Sequence, residues 1–256
     1  MINYGPKAKV VQILEELINS LKRDRPVTAA VVGSHLIAVA SRRLGLAARL
    51  PGSEGGEQIS CEKDMFALGD RSARVLAMWL LENEWLRAGI GMASLNSLLD
   101  IEHDKLLETN AKHIIADRSA GKNLMVVGRF PFVKMIQPSV RNLWVMEKQA
   151  SAGCISEEEG YQLLPEADVV AITGSSLINH TFERIISHCR VDSFKIMLGP
   201  STPLSPVLFD YGVDVIGGAL VERVNTVLAE VERGVAFRKL KGVRTVVMVK
   251  DSLGEF

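Results

Sequence analysis

Two short turns in the second half of the chain place small and hydroxyl-bearing residues directly after apolar runs. Residues 174–176 are Gly-Ser-Ser after an apolar run at 169–173, and residues 199–203 are Gly-Pro-Ser-Thr-Pro after a run at 194–198. Each pattern is typical of a buried strand that ends in a loop before a helix. Glycine lets a ligand approach the backbone, and the free N–H groups at a helix start attract anions. Since parallel strands end at one sheet edge, we expect both turns to line one binding crevice.

Structural alternatives stand beside this interpretation. Serines before a helix are common helix caps, and a loop held by two prolines is also a simple rigid turn. Asn179 and His180 follow the first turn, in a segment that the pattern predicts to be a helix. A histidine near a helix N-terminus tends to be neutral, so His180 is either an acceptor or metal ligand, or a surface or interface side chain.

Three further strand ends carry polar or conformationally permissive residues. Gly128 and Arg129 follow the run at 123–127, Glu147 follows the run at 142–146, and Gly217 ends the run at 213–216. Glu147 stands roughly where a dinucleotide-binding fold has its ribose-binding acid, although the turn after residue 127 is not a GxGxxG sequence. Arg129 suits a carboxylate or phosphate, with a structural ion pair as the alternative. The expected ligand-binding set, with Asn96 and Arg129 closing the crevice, is Asn96, Gly128, Arg129, Glu147, Gly174, Ser175, Ser176, Asn179, Gly199, Ser201, Thr202 and Gly217.

The sequence assigns neither a catalytic residue nor a metal ligand. HExxH, GxSxG and P-loop sequences are absent. The three cysteines, Cys61, Cys154 and Cys189, lack zinc-ligand spacing. We expect free thiols in a reducing cytoplasm.

Composition narrows the classes of partner. The 256 residues include 30 lysines and arginines and 30 aspartates and glutamates, so the net charge does not indicate nucleic-acid binding. Hydrophobic residues make up 47% of the chain, which favours a folded protein with a substantial core. We expect no signal peptide and no membrane insertion, because no apolar stretch is long enough to span a bilayer.

Periodicity predicts two structural halves. An amphipathic helix at 10–21 precedes strands at 27–32, 35–41 and 47–50, the last after a turn at Gly45, then a glycine-rich loop at 51–56 and helices from 62 to 101. From about residue 106, strands alternate with helices at 177–188, 206–211 and 220–231, which predicts a doubly wound, mostly parallel α/β sheet. We expect a small α+β domain at 1–104 and an α/β domain at 105–256.

Several of these segments together resemble a known family. They are ITGSSLINHT at 172–181, LGPSTPL at 198–204, VGRFPF at 127–132 and GMASLNSLL at 91–99. In combination they are similar to the putative heavy-metal chelation family with its companion N-terminal domain, and the resemblance covers nearly the whole chain. It implies an enolase-N-terminal-like domain, a Rossmann-like domain and a site in the cleft between them.

The leading hypothesis is therefore a cytoplasmic protein that binds a small anionic or metal-chelating molecule in the interdomain cleft, with a role in heavy-metal chelation or chelator metabolism. The sequence leaves enzymatic activity open. The cofactor is unassigned, and the candidate is a transition-metal ion or a metal chelate. The alternatives are a nucleotide-cofactor-dependent methyltransferase or dehydrogenase, and a non-catalytic scaffold. The small residues near Gly91 serve either a domain interface or a homodimer.

Overall fold

The computed structural model describes residues 7–52, 71–148 and 152–251. Three features of the sequence lie outside these ranges: Cys61, residues 53–56 of the glycine-rich loop, and the first part of the helical segment, at 62–70. Among the described residues, no helix combines the length and the apolar composition that crossing a bilayer requires.

The first half is an antiparallel three-stranded sheet packed against helices. Strands β1 (Ala29–Val32), β2 (Leu36–Ala40) and β3 (Leu44–Ala48) pair in chain order. The helices are α1 (Lys7–Asn19), α2 (Ala73–Ala77) and α3 (Trp85–Leu98), with a 3-10 turn at Met78–Leu81. These segments form what we call the N-terminal unit. The predicted meander followed by helices is confirmed.

Gly45 corrects the predicted turn, because it lies inside β3 rather than before a strand. The chain turns instead at residues 41–43. A Cβ on Gly45 would fall well inside contact distance of the Ala93 carbonyl oxygen and the Ser97 nitrogen, both on α3. The missing side chain therefore serves close packing of a helix on the strand.

The second half is one seven-stranded sheet in the order β4-β10-β9-β8-β7-β5-β6. The strands β5 to β9 run parallel, while β10 is antiparallel to both of its neighbours, β9 and β4. The bounds are β4 Leu106–Leu107, β5 Asn123–Val127, β6 Asn142–Met146, β7 Val169–Thr173, β8 Phe194–Leu198, β9 Val215–Val221 and β10 Val243–Val249.

The order of the parallel strands reverses between β5 and β7. The chain leaves β5 outward to β6, then returns to the other side of β5 to form β7, β8 and β9. Such a switch point opens a crevice beyond the carboxyl ends of the two strands that flank it. The predicted doubly wound, mostly parallel sheet is confirmed.

Helices cover the sheet between its strands, and two predicted boundaries were wrong. The predicted helix at 177–188 breaks at His180, whose φ is 58°, into α7 and α8. The predicted strand at 213–216 extends to Val221, so Gly217 lies within β9 instead of ending a strand. The helices are α4 Ala111–Ser119, α5 Val133–Ile136, α6 Glu157–Leu163, α7 Ser175–Ile178, α8 Phe182–His188, α9 Val207–Asp210 and α10 Val224–Glu232.

Close approach of neighbouring elements also explains the glycines Gly217 and Gly218 within β9. A Cβ on Gly217 would lie 2.8 Å from the Ala111 Cβ, at the start of α4. A Cβ on Gly218 would lie 2.7 Å from the Leu204 Cδ2 on the opposite face. Since successive strand residues point to opposite faces, the pair lets elements approach the sheet from both sides.

A continuous apolar core joins the two halves. One buried cluster contains Leu17 and Leu95 from the N-terminal unit together with Met125 and Ile172 from the C-terminal sheet. The strand residues that alternate with these point to the opposite face of the sheet. There they form a second buried cluster, which includes residues of α4. The N-terminal unit therefore covers one face of the sheet. We continue to propose a domain boundary at 104/105, within the 3-10 turn His103–Lys105.

A half-buried carboxyl lies where α1 packs against α8 and α9. The Glu183 Oε1 atom is buried, and no described residue offers it a hydrogen bond. Burial raises the pKa of Glu183 from 4.5 to about 7. Burial and the nearby Glu16 and Glu183 carboxyl groups also raise the pKa of Tyr211.

We expect Gly45→Ala to lower the free energy of unfolding by about 3 kcal/mol, because the new methyl group meets helix backbone that cannot move aside. Gly121→Ala is the control, since its Cβ would meet nothing within 4 Å although φ is +69°. It should lose about 1 kcal/mol from the left-handed backbone alone. Urea unfolding measures both, and equal losses would contradict the packing explanation.

We expect Glu183 to make stability fall as pH rises. Its folded pKa of about 7 lies above its ordinary value of 4.5, so the folded state holds the proton more tightly. The resulting stabilisation is complete below about pH 4.5 and is lost as pH rises through 7. Glu183→Gln should flatten this part of the pH dependence in urea unfolding between pH 4 and 8. The exposed Glu232→Gln control should keep the wild-type slope, and an unchanged slope in Glu183→Gln would refute the assignment.

Candidate functional site

A cleft of about 700 Å³ opens beyond the carboxyl ends of β5, β7 and β8. We call it the strand-end cleft. The switch point between β5 and β7 lies at this edge, and the volume falls within the range of small-molecule sites. Its walls also include Ala48 of β3, the start of α4 and the loop at 236–238.

The charged groups of the strand-end cleft are all positive. Lys112, Arg129 and Arg238 line it, and its described lining contains no aspartate or glutamate. The three side chains come from α4, from the turn after β5 and from the loop after α10. Cations that share a cleft whose described lining contains no acid favour a negatively charged ligand.

Aromatic and apolar side chains form another part of the wall. The rings of Phe130 and Phe132 stack with centroids 5.2 Å apart and planes 24° from parallel. Phe237 and Met135 also line the cleft, and Met135 is 58% exposed. The strand-end cleft therefore combines positive charge with surface that can pack against an apolar or planar ligand.

Ser175 presents the free hydroxyl of the first glycine-serine turn. Its backbone N–H donates to the Thr173 Oγ1 at 3.3 Å, and no described group bonds its own hydroxyl. Ser176 is buried, and its hydroxyl donates to the Thr173 carbonyl at 2.7 Å. Neither serine caps α7, so the helix-cap alternative is wrong here. Thr173 and Ser175 both line the cleft.

Glu147 and Gly128 lie beside the cleft rather than in its lining. The Gly128 N–H donates to the Met146 carbonyl at 3.0 Å, which ties the end of β5 to that of β6. Burial raises the pKa of Glu147, and the positive charge of Arg129 partly offsets the effect. Glu147 and Arg129 therefore interact electrostatically, although only Arg129 lines the cleft.

Other predicted residues hold the turns and the interface together. A Cβ on Gly174 would lie 2.5 Å from the Thr202 Oγ1, so the two turns pack on each other. The Ser201 hydroxyl accepts a hydrogen bond from the Ala48 N–H at 2.8 Å. The Asn179 Oδ1 accepts one from the Thr181 hydroxyl at 2.7 Å. The structure thus brings Arg129, Ser175, Gly199 and Gly217 together in the cleft, while Gly174, Ser176, Asn179 and Ser201 support it.

Asn96 and Thr202 line a second pocket of about 300 Å³ between the N-terminal unit and the sheet. We call it the interface pocket. His180 belongs to the same interface, because its Nε2 lies 2.8 Å from the Leu80 carbonyl oxygen. This contact is the interface role that the sequence left as an alternative.

Sequence reasoning missed several residues of the strand-end cleft. Phe130 and Phe132 flank Pro131 in a segment already noted, so their aromatic character was an available signal. Lys112 and Arg238 lie at the start of a helix and in a loop, more than 120 positions apart. No local pattern links them to the cleft.

The described residues offer no ready metal centre. Within residues 7–52, 71–148 and 152–251, no group of three or more His, Cys, Asp and Glu side chains could hold a metal ion. Cys154 and Cys189 are free thiols, and burial raises the pKa of Cys189 to about 11. A thiol with that pKa is a poor metal ligand at neutral pH.

Comparison with known proteins identifies the class. Residues 110–250 match the model of the DUF364 family, and residues 14–99 match that of the DUF4213 family, both described as putative heavy-metal chelation. The chain belongs to this putative heavy-metal chelation family. An uncharacterized protein of Methanocaldococcus jannaschii is 27% identical over 158 residues, 59% of this chain. The match spans 58% of that relative's length.

Solved structures of the same family share the fold. A protein of unknown function from Desulfitobacterium hafniense has a TM-score of 0.81 at 24% identity, over 95% of this chain and 99% of its own. A second one, from Pyrococcus horikoshii, has a TM-score of 0.77 at 17% identity, over 94% and 99%. At these identities the likeness concerns the fold.

Ser201 and Ser175 allow a hydrogen-bonded hydroxyl to be compared with an unbonded one. We expect Ser201→Ala to lower the free energy of unfolding by about 1–2 kcal/mol, because the Ala48 N–H loses its acceptor. Ser175→Ala removes a hydroxyl with no bonded partner among the described residues, so its effect should stay within about 0.5 kcal/mol. Urea unfolding compares the two. A smaller loss for Ser201→Ala than for Ser175→Ala would contradict these roles.

Proposed function

We propose that the strand-end cleft binds a small anionic organic molecule with an apolar or aromatic body, namely a metal chelator or its metal complex. The observation that carries this proposal is the lining: three cationic side chains, no acidic one among the described residues, and an aromatic wall. Membership of the putative heavy-metal chelation family supports a ligand from metal chemistry.

The donor set of the cleft does not fit a bare metal cation. Heavy-metal ions favour thiolate, imidazole and carboxylate ligands, whereas the lining supplies guanidinium, ammonium, hydroxyl and amide groups. Two of its cations, Lys112 and Arg129, would instead pair with the carboxylate or phenolate oxygens of a chelator. A metal would thus enter as part of an anionic complex, as cargo.

The orientation of such a ligand follows from the geometry of the wall. The stacked Phe130 and Phe132 rings offer an apolar surface beside Arg129, and the Ser175 hydroxyl lies at the end of β7. A planar ligand would lie against the rings with its charged oxygens toward the cations. The protein would bind this ligand in the cytoplasm, and we assign no catalytic residue.

A nucleotide-cofactor enzyme is the second candidate, and the position of Glu147 favours it. Glu147 follows β6, the strand beside β5, as the ribose-binding acid does in dinucleotide-binding folds. A thermal shift with NAD, NADP or S-adenosylmethionine that Glu147→Ala abolishes would favour this candidate over the first.

We expect 2,3-dihydroxybenzoate, an aromatic carboxylate with two metal-binding hydroxyls, to bind in isothermal titration calorimetry. Arg129→Gln and Lys112→Gln should each weaken binding about tenfold, the value of one charge-assisted hydrogen bond. Binding of its preformed iron(III) complex should weaken with the same substitutions. Any binding of nickel or zinc chloride should not change with them.

Lys134→Gln is the matched control, because Lys134 is exposed on α5 and lies outside the cleft lining. It should leave the affinity unchanged. Binding of the bare metals that depends on Arg129 and Lys112, or chelator binding indifferent to both, would overturn the proposal.

A further inference from the structure

The acid Glu147 is held beside the strand-end cleft by hydrogen bonds at the end of β6. Its N–H donates to the Ile155 carbonyl oxygen at 3.2 Å, and the Ile155 N–H donates to the Val145 carbonyl oxygen at 2.8 Å. These two bonds pair residue 155 with β6 in a parallel bridge. The main chain that carries the Glu147 carboxyl is therefore fixed, although Glu147 itself does not line the cleft.

Arg129 follows the end of β5, which is the strand next to β6. The two strands pair in parallel with Val127 opposite Met146, and the Gly128 N–H donates to the Met146 carbonyl oxygen at 3.0 Å. Since paired strands lie about 4.8 Å apart, the segments that follow them start close together. Glu147 and Arg129 are thus carried by neighbouring strand ends.

The charges of Glu147 and Arg129 act on each other at this edge of the sheet. Burial raises the pKa of Glu147, and the positive charge of Arg129 offsets part of this rise. Arg129 is exposed in the cleft lining, and no described residue forms an ion pair or a hydrogen bond with its guanidinium. The guanidinium is therefore available to a ligand, but an anion placed on it also meets the negative charge of Glu147.

We propose that Glu147 determines the charge selectivity of the strand-end cleft, by opposing each negative charge that a ligand brings near Arg129. The inference rests on the function proposed above, in which Lys112 and Arg129 bind an anionic chelator. The three cations of the lining attract an anion more strongly as its charge grows, and the carboxylate of Glu147 weakens that preference. A chelator whose charge is partly neutralised by its metal is then disfavoured less than the free, more highly charged chelator.

This role and that of a ribose-binding acid predict opposite effects on affinity. In a dinucleotide-binding fold the carboxylate at this position accepts hydrogen bonds from the ribose, so its removal weakens binding. A carboxylate that only opposes the charge of the ligand has the reverse effect, and its removal strengthens the binding of anions. The sign of the change in affinity therefore distinguishes the two roles of Glu147.

Two ligands that differ by one carboxylate test this proposal: 2,3-dihydroxybenzoate, a monoanion, and 2,3-dihydroxyterephthalate, a dianion. In calorimetry at about pH 8, where carboxyl groups are ionised, Glu147→Gln should tighten binding of the monoanion about threefold and that of the dianion about sevenfold. These factors correspond to one and two unit charges about 7 Å from the carboxylate in water. Glu147→Asp keeps the charge and should keep the wild-type affinities. Glu166→Gln is the matched control, because Glu166 is exposed just before β7, at the opposite edge of the sheet.

The outcomes separate the charge effect of Glu147 from the binding of a chelator. Equal gains for the two ligands, no gain, or a loss of affinity in Glu147→Gln would overturn the charge effect, while binding itself would still support the chelator function. If neither ligand binds the wild-type protein, the chelator function is wrong in this form, and inorganic sulfate becomes the probe. Sulfate should then raise the melting temperature of Glu147→Gln more than that of Glu166→Gln, and an equal rise in both variants would contradict the role of Glu147.

Discussion

The apolar contact between the N-terminal unit and one face of the C-terminal sheet is the constraint on which the rest of the structure depends. A parallel sheet needs both faces covered, and here α1 and α3 supply part of that cover for one of them. The contact turns two sets of elements into one continuous core. It also brings β3 against the loop after β8, and both sites border that loop.

This contact explains why polar residues in the turns divide into two roles. Ser201 and His180 are drawn into hydrogen bonds with the backbone of the N-terminal unit, where a lost partner would leave a backbone group unsatisfied. Ser175 lines the strand-end cleft instead, and its hydroxyl has no bonded partner among the described residues. Similar residues in similar turns thus serve packing in one place and keep an unbonded hydroxyl at the cleft in another.

The charged side chains in their linings distinguish the strand-end cleft from the interface pocket. The strand-end cleft combines three cationic side chains with stacked rings, which suits a larger anion with an apolar body. The interface pocket is lined by Arg42, Arg43 and Arg244 together with one acid, Glu222, so its charges are mixed.

Local patterns were sufficient to predict the strands at 123–127, 169–173 and 194–198, because short apolar runs bounded by glycine turns are typical of buried parallel strands. They also predicted the sheet edge where Arg129 and Ser175 meet. They were wrong at Gly45 and Gly217, which lie inside strands at points where a neighbouring element approaches too closely for a side chain. That close approach depends on contacts between segments remote in sequence. The same contacts bring Lys112 and Arg238 to one cleft and place Asn96 and Thr202 in a separate pocket. Only the tertiary structure decides these features, since the periodicity of the sequence carries no information on the distance between two packed elements.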